Sequence, residues 1–138
     1  MCKEEDKTKA LKGDLLVNIT LRTHPDVLFA FSINHIELIT RVENHNEHPI
    51  WVEAEISVPE KLSLSPDSPL RKGRVRIGII EKNQFLEKAV RVYANSFTNP
   101  QMYKVDSTVF LFNKDGVIDA RLEKSLNIRC EMKKKATI

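Results

Sequence analysis

The chain has 138 residues, of which 41% are hydrophobic, 30% charged and 7% aromatic, with 22 Lys plus Arg against 19 Asp plus Glu and a net charge of +3. That length supports one domain, and a chain of this size buries roughly two-thirds of its unfolded surface without disulfides or metal. Four Gly and six Pro exclude collagen-like and low-complexity chains, the ordinary apolar content excludes wholesale disorder, and no apolar run approaches the ~18 residues of a membrane-spanning helix.

Residues 1–12 are polar and lysine-rich and read as a flexible charged arm. They contain no apolar signal segment, so the expected location is cytoplasmic, or extracellular if a leader or anchor is missing. Period-two alternation begins at Leu15 and continues through Val17, Ile19 and Leu21, which reads as a half-buried strand. Residues 23–26 form a turn cluster, 27–33 are apolar and aromatic, and 36–43 alternate again. The segment 44–49 is a polar connector. The clearest strand follows, with Ile50, Val52, Ala54, Ile56 and Val58 on one side and Trp51, Glu53, Glu55 and Ser57 on the other, and Pro59 ends it.

Residues 60–73 read as a long surface loop, with a short strand expected at 62–64. In the next strand Val75, Ile77 and Ile79 share one parity, and Arg74, Arg76 and Gly78 share the other. At most one helical turn is expected at 85–90, ahead of a strand carrying Val90, Val92 and Ala94. A long strand opens at Tyr103, with Val105, Ser107, Val109 and Leu111 on its face and Phe110 and Phe112 on the opposite one. Asp115-Gly116 is a hairpin signal. The return strand runs from Ile118 to Met132 on one parity, with a bulge expected near 124–125. Residues 133–138 form a basic tail. Eight or nine short strands with turn signals between them predict one all-β domain at 13–132, a sandwich of about seven to nine antiparallel strands.

Catalytic chemistry has little to stand on. There is no Gly-x-Ser-x-Gly elbow, no Walker loop and no Gly-x-Gly-x-x-Gly, and neither Cys2 nor Cys130 belongs to a Cys-x-x-Cys pair. Cys130 reads as a buried free thiol. His45 and His48 could supply two metal ligands, but a site needs three or four, and polar residues are expected in that connector anyway. No enzyme activity, metal or cofactor is therefore expected. Sparse Gln beside plentiful Lys, Glu, Arg and Ile resembles thermophile or archaeal usage.

Two surfaces remain. Arg71, Lys72, Arg74 and Arg76, with Arg91 expected nearby, could contact nucleic-acid phosphates, although charged residues on a strand also simply guard an edge. Trp51, Phe110 and Phe112 lie on the nominally polar parity of their strands. That calls for a cover: a partner protein, a second copy of the chain, or its own N-terminal strands.

The order of signals across 36–129 resembles the CARDB-type immunoglobulin-like domains of archaea and bacteria. The matching positions are Asn44, residues 50–59, Ile77-Gly78-Ile79-Ile80, residues 90–94, residues 103–111 and Gly116. Gln101-Met102 stands where such domains usually carry a Gly before the Tyr. The resemblance implies an immunoglobulin-like β-sandwich and a non-catalytic module for binding or spacing. Taken together, the sequence predicts a protein-binding or assembly module acting through a sheet face or strand edge, with nucleic-acid binding as the alternative.

Overall fold

The computed structural model of the protein describes residues 7–9 and 16–133. Most of the expected tail and part of the expected arm lie outside the described residues. Of the arm, Lys7–Lys9 form β1, paired with β2. The other strands are β2 (Leu16–His24), β3 (Val27–Phe29), β4 (Asn34–Asn44), β5 (Ile50–Ser57), β6 (Lys72–Ile80), β7 (Phe85–Ala94), β8 (Gln101–Phe112) and β9 (Ile118–Glu131). Among the described residues there is no helix, and hence none long and apolar enough to cross a membrane.

The strands form a four-stranded sheet, β1-β2-β4-β7, and a five-stranded sheet, β3-β9-β8-β5-β6. The pleat sends alternate side chains to opposite faces, and the inward set of each sheet meets the other's in the core. Ile36, Leu38 and Val42 come from one side, and Val52, Ala54, Val105 and Val109 from the other. The core is divided into two clusters. Thr40 on β4 and Ser107 on β8 occupy inward positions along the division, and the Ser107 hydroxyl is buried without a hydrogen-bond partner.

Several expectations are corrected. The pairing is not wholly antiparallel, because β3 lies parallel to β9; a three-residue strand carries no pattern that could announce its partner. Residues 85–90 are the first part of β7, paired with β4 along its length, rather than a helical turn. Lys88 takes an inward parity position on this edge strand and so hides the alternation, while an inward charge on an edge discourages further pairing. The return strand has no bulge at 124–125. Half-buried Lys124 takes the inward position opposite Ser107, and the register shift falls between Leu111 and Phe112. Residues 62–64 contribute only a bridge from Ser63 to Tyr93. The 113–117 hairpin closes with the Asn113 N–H donating to the Val117 carbonyl at 2.9 Å, and Gly116 takes the φ of +79° that a three-residue loop requires.

Candidate partner-binding face

The outer face of the five-stranded sheet carries its side chains in rows set by register. Trp51 lies opposite Ile79 on one side and Phe112 on the other, and Phe112 lies opposite Ile118. The result is an apolar row four strands wide. Ile79 is 63% exposed and Trp51 36%, and the Trp51 and Phe112 rings meet at a tilt with centroids 5.7 Å apart. Beside the row lies a cleft of about 610 Å³ lined by Pro49, Trp51, Ile79 and Phe112, with His48 and Lys114 among its polar residues.

The next row is cationic and aromatic. The Arg74 guanidinium lies 4.2 Å from the centre of the Phe110 ring, Arg121 lies 5.9 Å from the same ring, and Arg76 lies 5.8 Å from Trp51. These contacts leave Phe110 only 8% exposed. Phe110 therefore points outward, as its parity requires, yet the arginines already cover it and it offers no open contact surface. Glu53 accepts a hydrogen bond from Arg74 Nε at 3.1 Å and pairs with Arg76 Nε at 3.8 Å. Further along the face, Lys72, Lys104 and Arg121 mix with Glu55, Asp106 and Glu123 around a shallow polar trough.

The basic cluster is therefore split and partly neutralised. Arg74 and Arg76 share Glu53, Arg71 precedes β6 with its carbonyl accepting the Val58 N–H, and Lys72 opens β6. Arg91, expected close by, lies on β7 opposite Glu37, on the outer face of the other sheet. The register that pairs β7 with β4, instead of with β6, separates it from the other arginines.

His45 Nε2 lies 3.2 Å from Glu43 Oε1 and 3.3 Å from Asn18 Nδ2, while His48 stands at the apolar cleft. Among the described residues, no three His, Cys, Asp or Glu side chains come together as a metal-binding set. Cys130 is buried, and that burial raises its thiol pKa, a setting that makes a thiol unreactive.

Ile79 is the residue that period-two reading misplaces. Counting by twos puts it inward with Val75 and Ile77. A register shift pairs Val52 with Gly78 but Glu53 with Arg76, leaving Ile77 as the extra residue and turning Ile79 outward. Gly78, at φ +131°, marks the irregularity. A lone Gly inside an apolar strand was the available signal. The outer face of the four-stranded sheet differs in kind. There Arg22, Glu87, Arg41 and Glu43 form a continuous chain of ion pairs, with the His45 ring in hydrogen-bond contact with Glu43, and Arg41 stacks 3.5 Å over the Phe85 ring.

The fold is that of a CARDB-type β domain, the class that the rhythm of 36–129 resembles. The chain is similar to the CARDB domain of the PF1109 protein from Pyrococcus furiosus, solved in complex with di-metal ions, at 10% identity over 94% of this chain and 98% of that one, with a TM-score of 0.52. It is also similar to Spo0M, a sporulation control protein from Bacillus subtilis (11% identity, 85% of this chain, 50% of that one, TM-score 0.49). A third similar structure is an ApaA protein from Bordetella pertussis (16%, 85% and 94%, TM-score 0.49). At such identities the likeness to the CARDB domain concerns the fold alone. No family model matches the chain, and no curated protein matches it.

Proposed function

We propose that the chain is a non-catalytic assembly module, built as an immunoglobulin-like sandwich, that associates through the outer face of its five-stranded sheet. The sandwich reading is supported by Tyr103. Its hydroxyl donates to the Asn99 carbonyl at 2.7 Å near the start of β8, as the tyrosine corner of such sandwiches does. The observation that carries the functional reading is the apolar row of Ile79, Trp51, Phe112 and Ile118.

The occupant that fits is a second copy of the chain. The row would meet its own counterpart, and Arg76 and Arg121 beside it would find carboxylates among Glu55, Asp106 and Glu123 of the same face. Opposed charges at the rim of an apolar patch set its register, while burial of the patch supplies most of the affinity.

Light scattering over a concentration series tests this with the wild type and Ile79→Glu. The substitution is on an exposed edge-strand position and leaves the core intact. The wild type should gain mass with concentration and the variant should stay monomeric. A wild type that remains monomeric throughout removes self-assembly, and a variant that associates equally well removes this face. The nucleic-acid reading has weaker support, since Glu53 neutralises Arg74 and Arg76 and Arg91 faces the other way.

A further inference from the structure

We propose that the cleft between the 60–69 loop and the loops 30–33 and 95–97 takes an extended segment of a protein partner in which apolar and basic side chains alternate, independently of the sheet face. The cleft has a volume of about 340 Å³ and is lined by Ile33, Leu62, Pro66 and Phe97, with Glu60 and Asp67 among its polar residues. Its first wall is the 60–69 loop, folded back on itself by Ser63. The Ser63 hydroxyl donates to the Ser68 carbonyl at 2.6 Å and accepts the Leu70 N–H at 2.9 Å. The Ser63 backbone exchanges two bonds with Tyr93, at 2.7 and 3.0 Å, which fixes this loop against β7.

The opposite wall is braced just as firmly. Thr98 is fully buried; its hydroxyl donates to the Lys61 carbonyl at 2.7 Å and accepts the Asn95 N–H at 2.8 Å. The Thr98 carbonyl accepts the Phe31 N–H at 2.9 Å, which ties in the 30–33 loop. There Phe31 holds φ +58°, an outlier for a bulky side chain. The side-chain amide of Asn34 clamps the turn, donating to the carbonyls of Phe29 at 2.8 Å and Ser32 at 3.0 Å. This wall displays what it could have buried: Ile33 is 74% exposed and Phe97 75%. A cleft with both walls held in this way is formed before its ligand arrives, so binding costs little ordering.

Charge selects the occupant. Glu60 and Asp67 are exposed on the first wall, and among the described residues neither is ion-paired. On the outer sheet faces, by contrast, Glu43, Glu53 and Glu87 are each held by an arginine. Lys61, next to Glu60 in the chain, directs its ammonium to the Phe97 carbonyl, 3.4 Å away. A basic side chain would supply the partner that the two carboxylates lack, and its methylene stem would pack on the apolar lining. An extended chain sends alternate side chains to opposite sides. Lying along the cleft, it would present basic residues to Glu60 and Asp67 and apolar ones to Ile33 and Phe97. The same carboxylates disfavour an anionic partner. At about 340 Å³ the cleft is near the lower end of small-molecule sites, while its protruding tips suit a chain that runs on past it.

Fluorescence anisotropy tests the proposal with a labelled hexapeptide alternating leucine with arginine, a version with glutamate for arginine, and a version with serine for leucine. The wild type should bind the first peptide, less tightly as salt rises, and each of the others at least roughly tenfold more weakly. Glu60→Gln/Asp67→Asn should weaken binding of the first peptide by about three- to tenfold. Ile33→Ser/Phe97→Ser should weaken it by at least roughly tenfold. All four positions are exposed, so thermal melts should match the wild type. Should a variant not fold, the three peptides on the wild type still decide. A wild type that does not bind the leucine–arginine peptide overturns the proposal. Equal binding of the glutamate or serine version overturns it too, as does binding unchanged by either double substitution. Ile79→Glu should bind the peptide like the wild type; loss of binding there would move the site to the sheet face and overturn the proposal. Light scattering covers the remaining occupant. If Ile79→Glu gains mass with concentration, and Ile33→Ser/Phe97→Ser added to it abolishes that gain, a second copy fills the cleft and the proposal falls.

Discussion

The side-chain oxygen of Asn44 accepts two hydrogen bonds from Asn46, one from its backbone N–H at 2.8 Å and one from its side-chain amide at 2.9 Å. The Asn44 amide in turn donates to the carbonyls of Ile80 at 2.8 Å and His48 at 2.9 Å. Asn46 exchanges two further bonds with the backbone of Leu16. Two buried amides thus join the end of β4, the 45–49 connector, the start of β2 and the end of β6. Because Ile80 lies in the five-stranded sheet and Asn44 in the other, the pair locks the two sheets together directly behind Ile79 and Trp51.

Asn44→Ala should therefore cost far more than a surface asparagine would. It removes four hydrogen bonds and leaves the buried Ile80 carbonyl and the Asn46 amide short of partners, and unpaired buried groups carry the full desolvation penalty. We expect a loss of about 2–4 kcal/mol, read from the midpoint of urea unfolding. A loss below about 0.5 kcal/mol, the range of ordinary surface changes, would show that water replaces the network.

Gly78 holds the register shift that turns Ile79 outward. A β-carbon there would lie 2.9 Å from Leu86 Cδ1, at a φ of +131° that L side chains rarely adopt. Leu86 can yield by rotating its side chain, so backbone strain is the larger cost. Gly78→Ala should destabilise by about 1–3 kcal/mol, and Trp51 fluorescence should shift as Ile79 moves beside it. An unchanged stability and spectrum would mean that the irregularity tolerates a side chain.

The Glu43 carboxyl is held below its usual range, first by the Asn18 amide, then by Arg41, with a smaller contribution from His45. A carboxyl whose folded pKa is depressed adds stability above its unfolded pKa and loses it as pH falls through the folded value. Stability should thus decline below about pH 4.5, the ordinary carboxyl value. Glu43→Gln should flatten that part of the profile while leaving the neutral-pH profile parallel to wild type. Urea midpoints measured across the acid range check this, and an unchanged acid slope in the variant would assign the decline to other carboxyls.

Much of the candidate face was legible in the sequence because facing is local. Trp51 and Phe112 point outward by the same count of two that buries Val52 and Leu111. Ile79 was not legible, since one extra residue at Ile77 reverses the count. Nor was the covering of Phe110, which depends on Arg74 and Arg121 reaching it from β6 and β9. The exposure of Ile33 and Phe97 was not legible either, because loops have no period.

Alternation within single segments already marks an all-β chain, most of its strands, and which residues of each regular strand share a face, because it follows from the pleat. That β3 joins β9 in parallel, that Arg91 faces away from Arg74 and Arg76, and that Ile79 completes a row with Trp51 emerge once the strands pair. Those outcomes depend on which strands lie side by side and in what register, and that is settled by packing between segments distant in the chain. The described charges are accordingly arranged as a self-paired outer face on the four-stranded sheet and a mixed one on the five-stranded sheet.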